Sequence, residues 1–169
     1  MRNDSMKRDI VAELALLLLL LLLLLGIIPS NNSEQNQIEV YSFSAKNEQF
    51  AISNGVIVLN ADENVFYGGN LEVIDEELFT NIKSHSTTFY TTRNGETHIV
   101  LSSSVEDVTN ESVNVEGGLG KVSSDNLIAE SEVEIVDELL NNLWFELKTI
   151  DANNNEKTYR LQLTLTKIS

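Results

Sequence analysis

The chain has 169 residues, 11 basic against 26 acidic side chains, a formal net charge of −15 and no cysteine. Such a charge repels nucleic acid and anionic lipid headgroups, and the lack of cysteine removes disulfide staples, thiol nucleophiles and thiolate metal sites. The first 30 residues carry three basic and three acidic side chains, so the whole imbalance belongs to the remaining 139, with eight basic and 23 acidic.

Residues 16–25 are ten consecutive leucines inside an apolar run over 14–28. A helix without a polar face does not rest on the surface of a water-soluble fold. The run is therefore read as an N-terminal hydrophobic helix for the membrane or the export machinery. Arg2, Lys7 and Arg8 precede it, and the next positive charge is Lys46. That asymmetry places the N-terminus in the cytoplasm and the rest of the chain outside. As a helix, residues 14–28 span about 22 Å, short of the roughly 30 Å hydrocarbon core, while residues 10–28 reach about 28 Å with Glu13 included. Two readings stay open: a single-pass membrane anchor over 10–28, or a signal peptide cleaved near Ser30. Gly26 and Pro29 break the helix where a cleavage region begins, but no Ala-x-Ala motif is present. A lipoprotein is excluded, since no cysteine can be acylated. The expected organisation is signal peptide or anchor over 1–30, polar linker over 31–37 and extracellular domain over 38–169, in the cell membrane or secreted.

The domain opens with IEVYSFS. EQFAIS and VIVLN then flank Asn54-Gly55, a strong hairpin signal. A two-residue turn there pairs Ile52 with Ile57 and Phe50 with Leu59, all four on one face. NLEVID after Gly68-Gly69 reads as a strand, and DEELFTNIK as one or two helical turns with Asp75 as N-cap. A second turn, Asn94-Gly95, pairs Arg93 with Glu96, Thr92 with Thr97, Thr91 with His98, Tyr90 with Ile99 and Phe89 with Val100. ESVNVEGGLGKVSS reads as a strand broken by glycines. SEVEIV alternates, and DELLNN reads as a short helix. LWFELKTI leads through DANNNE into KTYRLQLTLTK, where Tyr159, Leu161, Leu163 and Leu165 alternate with polar residues as in a half-buried strand. Hairpin after hairpin predicts an all-β fold: an antiparallel β-sandwich, immunoglobulin-like in general build, behind the N-terminal helix.

Sites of chemistry are few. His85 and His98 invite a serine-hydrolase reading, but no G-x-S-x-G elbow accompanies them. A strand histidine without a catalytic role is the simpler reading. Asp151, Asn153 and Asn155 resemble the opening of a calcium loop. Glu156 then stands where that loop needs glycine, and Gln162 where it needs glutamate, so a polar hairpin loop is expected and no cofactor is assigned. Loop carboxylates at Asp62, Glu63, Asp75, Glu76, Glu77, Glu106 and Asp107 are the remaining calcium candidates. Gly117-Gly118-Leu119-Gly120 lacks the lysine and the βαβ setting of a phosphate loop and reads as a turn or bulge. Trp144, the only tryptophan, is either a core anchor or an aromatic platform for a sugar or a peptide. A core anchor is the simpler reading, but alternation in LWFELKTI sets Trp144 with Glu146 and Lys148, opposite Leu143, Phe145 and Leu147, which keeps the platform reading open.

YSFSAKNEQFAISNGVIVLN, VFYGGNLEV, STTFY and LWFELKT together resemble a group of small exported or membrane-anchored proteins of Gram-positive bacteria. The similarity runs over residues 38–166. It implies export and carries no catalytic motif. The expected function is a non-catalytic extracytoplasmic binding module. The alternatives are a secreted hydrolase using His85 or His98 and a cation-dependent adhesive or structural domain. The charge predicts a monomeric domain and a basic protein partner whose association weakens with salt.

Overall fold

The computed structural model describes residues 38–60, 63–93, 95–107, 112–124 and 142–169. The expected anchor over 10–28, the linker, Asp62, and the SEVEIV and DELL stretches lie outside the described residues. Strands are β1 (Glu39–Lys46), β2 (Phe50–Leu59), β3 (Asn64–Tyr67), β4 (Asn70–Val73), β5 (Ile82–Arg93), β6 (Glu96–Glu106), β7 (Gly117–Gly118), β8 (Lys121–Ser124), β9 (Leu143–Asp151), β10 (Glu156–Gln162) and β11 (Thr164–Lys167).

They form two antiparallel sheets. The first runs β11-β1-β2-β3-β8, with β4 and β7 continuing the lines of β3 and β8; the second runs β10-β9-β5-β6. Residues 36–169 form one compact unit. The core lies between the sheets and contains all six phenylalanines of the chain. Phe43 and Phe66 from the first sheet meet Phe89 from the second at ring-centroid distances of 5.9 and 5.0 Å. Phe89 continues to Phe145 at 5.0 Å, and Phe145 to Phe50 at 5.8 Å.

The hairpin expected at Asn54-Gly55 does not form. β2 runs straight through the dipeptide, and β1 lies beside its whole length. The β1–β2 register passes from Phe43 opposite Gly55 to Ala45 opposite Ile52. Ser53 and Asn54 thus face Ser44 alone, which is a β-bulge. Asn54 takes the left-handed conformation, φ 60°, which asparagine tolerates better than most residues. Gly55 leaves room for Phe43, whose ring atoms would lie 2.1 Å from a Cβ there.

The interruption continues across the sheet. Gly69 (φ 77°) and Gly120 (φ 88°) are left-handed at the same level in the next two strand lines. Gly68 N donates to Gly120 O at 2.9 Å, and Leu119 N to Gly69 O at 2.9 Å. A seam of left-handed residues therefore crosses three neighbouring strands above Phe43, Phe66 and Phe89.

Asn94 lies outside the described residues, but β5 and β6 on either side make the four expected pairs from Arg93–Glu96 to Tyr90–Ile99. Phe89 then pairs with Leu101 instead of Val100, because a bulge shifts the register. The alternating segment from Tyr159 to Leu165 is two strands, not one. β10 pairs with β9, Leu163 N donates to Leu143 O at 2.9 Å, and β11 crosses to pair with β1 in the other sheet. Glu76–Phe79 makes a single 3-10 turn, and the Asp75 carboxylate makes no capping hydrogen bond.

Candidate functional site

Strand alternation gives the second sheet one buried and one open face. On β9, Leu143, Phe145 and Leu147 are fully buried, so Trp144, Glu146 and Lys148 point to the other side. Cross-strand register extends that face through β10, β5 and β6. Its rows are Gln162–Trp144–Tyr90–Ile99, Arg160–Glu146–Thr88–Ser102, Thr158–Lys148–Ser86–Ser104 and Glu156–Ile150–Ser84–Glu106. Four strands and these rows cover roughly 20 Å by 14 Å at standard strand spacings.

The face has three zones. At one end Trp144 and Tyr90 are direct cross-strand neighbours, both partly exposed, beside Ile99 at 64% exposure. Partial burial raises the Tyr90 phenol, while nearby Arg160 lowers it and Glu146 raises it. In the middle Arg160 Nε donates to Glu146 Oε2 at 2.7 Å, and Lys148 Nζ lies 3.5 Å from Glu146 Oε1. Burial alone would raise the Glu146 carboxyl, but these two cations hold it below its ordinary value. Thr88 and Ser102 share a hydroxyl hydrogen bond of 3.3 Å. At the far end Ser84, Ser86, Ser104, Lys148, Glu106 and Glu156, together with His85, Val105 and Ile150, line an open depression of about 380 Å³.

The two histidines are not brought together. His98 is exposed opposite Thr91, and His85 lies six residues further along β5, opposite Val105 and Thr149; that is about 20 Å of strand. His85 is half-buried, and its Nδ1 has no hydrogen-bond partner among the described residues. Desolvation lowers its pKa. A general base needs a nucleophile within hydrogen-bond reach and a group that orients it, and no such bond to either histidine is present among the described residues.

Asp151, Asn153 and Asn155 do converge, but on one another. Asp151 Oδ1 accepts from the backbone N of Asn153 at 2.8 Å and of Asn155 at 2.9 Å. Asp151 Oδ2 accepts from Asn155 Nδ2 at 2.9 Å. The Asn155 side chain first, then the loop backbone, holds the Asp151 carboxyl below its usual range. The carboxylate closes the β9–β10 turn, with Asn154 left-handed at φ 62°.

Tyr90, Arg160 and the serines of β5 and β6 are the part of this face that sequence reasoning missed. Their alternation was readable strand by strand. The pairing of β5 with β9, whose partners lie 52 to 69 residues apart, was not. No protein family, curated protein or solved structure matches the chain.

Proposed function

We propose that the protein is a non-catalytic binding module displayed outside the cell, immunoglobulin-like in general build, whose working surface is the open face of the second sheet. Residues 10–28 anchor it to the membrane or direct its export, with residues 1–9 inside. The leucine run flanked by basic residues on one side only supports this topology. The observation that carries the binding reading is the pairing of Trp144 with Tyr90 on a solvent-facing sheet. Large aromatics on such a face expose contact area with little conformational entropy to lose on binding.

The test is co-sedimentation of the full chain, held in detergent, with lipid-extracted envelope fragments of the producing cell, so that residues 10–28 contribute no retention. The wild type is retained. A Tyr90→Ala/Trp144→Ala double variant that keeps its far-ultraviolet circular dichroism is not. Equal retention of the two proteins would remove this face from the account.

A further inference from the structure

The same face carries a more specific reading, which rests on the binding function proposed above. We propose that it binds a neutral oligosaccharide, with a sugar ring stacked at Trp144 and Tyr90 and further hydroxyls bonded at the depression around Ser84, Ser86 and Ser104.

Charge is the first argument. The domain after residue 30 holds eight basic and 23 acidic residues. The face itself holds Arg160 and Lys148 against Glu146, Glu106 and Glu156. Both cations already lie against Glu146. With two cations against three carboxylates the face offers an anion no net positive charge, and a strongly basic partner meets one net negative charge there against fourteen on the rest of the domain.

The chemistry of the side chains is the second argument. Serine and threonine hydroxyls at 84, 86, 88, 102, 104 and 158 donate and accept hydrogen bonds. A sugar presents the matching combination: an apolar C–H face for an aromatic ring and a rim of hydroxyls for polar groups. The Arg160–Glu146–Lys148 cluster, fixed by its own contacts, adds preorganised donors and acceptors between the two ends. An extended peptide has less to engage. The β5 and β9 backbones are paired on both sides, so the middle of the face offers no main-chain groups for strand addition. The length, roughly 20 Å, suits a short chain of sugars rather than a single ring.

Trp144 is the only tryptophan and reports its own occupancy. The full chain, in a polyoxyethylene detergent that contains no sugar, is titrated with cellotetraose, maltotetraose and tetra-N-acetylchitotetraose while tryptophan emission is followed. At least one tetrasaccharide gives a saturable change, indifferent to salt. Tyr90→Ala weakens that binding about tenfold, as the loss of one aromatic contact would. Ser104→Leu, an exposed edge-strand change that fills the depression without touching the core, weakens it as well. No saturable change with any of the three sugars up to millimolar concentration overturns the proposal, as does sugar binding that both variants leave intact. Sugar-free envelope proteins separate the two levels. If they alter Trp144 emission and the sugars do not, the oligosaccharide is wrong and the binding face stands. If neither alters it, both are wrong.

Discussion

Gly69→Ala should be far more damaging than Gly95→Ala, although both glycines are left-handed, at φ 77° and 83°. An L-residue in that conformation costs about 1–2 kcal/mol, and for Gly95 nothing else is added, because no atom lies within 4 Å of its would-be Cβ. At Gly69 the Cβ would lie 2.1 Å from Ser53 O, 2.7 Å from Gly55 N and 2.9 Å from Asn54 C. These are backbone atoms in the middle of a sheet, so no side chain can rotate away. Relief requires residues 68–70 to move off β2, which disrupts the flanking Val56–Tyr67 and Ser53–Asn70 pairings at about 1 kcal/mol per hydrogen bond lost. With overpacking strain of about 1–3 kcal/mol, the total comes to about 4 kcal/mol or more. Urea unfolding of the full chain in detergent, followed by Trp144 fluorescence, measures both variants. Gly120→Ala is a further control, since its nearest atom, Leu101 Cδ2, is 3.8 Å away, and it should match Gly95→Ala. Equal destabilisation by Gly69→Ala and Gly95→Ala would refute the seam.

Phe89→Ala should cost about 3–5 kcal/mol in the same assay, since Phe89 contacts the Phe43, Phe66 and Phe145 rings. The desolvated His85 has a lowered pKa when folded, so its contribution to stability is complete above the unfolded value of about 6.5 and is lost as pH falls towards the folded value; His85→Gln should flatten that part of the stability profile. The Asp151 carboxyl is likewise lowered, so its contribution is present above about pH 4 and is lost as pH falls through the folded value, and Asp151→Asn should shrink that acid loss. Protease added to intact cells or protoplasts should remove the domain, and a protected C-terminus would reverse the topology proposed for residues 10–28.

The sequence was most legible where contacts are local. Asn94-Gly95 fixed its hairpin because a two-residue turn dictates the pairs beside it. The LWFELKTI alternation put Phe145 inside and Trp144 on the opposite face for the same reason, while the simpler reading of a lone tryptophan as a core anchor gave way to its partly exposed place on that face. Asn54-Gly55 misled because a bulge and a two-residue hairpin leave the same trace: each puts Phe50, Ile52, Ile57 and Leu59 on one face. Only the partners on either side of β2 separate the two, and β1, β3 and β4 are chosen by packing. The split at Leu163 was hidden likewise, since a strand that changes sheets keeps its alternation. The candidate face was half legible: Trp144 stood out as a lone aromatic beside charges, but Tyr90 and the serine lane join it only through long-range pairing.

The most direct test of the binding face is the accessibility of Trp144 itself. Acrylamide should quench its emission readily in the free protein in detergent, and lipid-extracted envelope fragments that retain the protein should protect it. Retention with Trp144 still fully open to quencher would contradict the account and move the binding surface elsewhere on the domain.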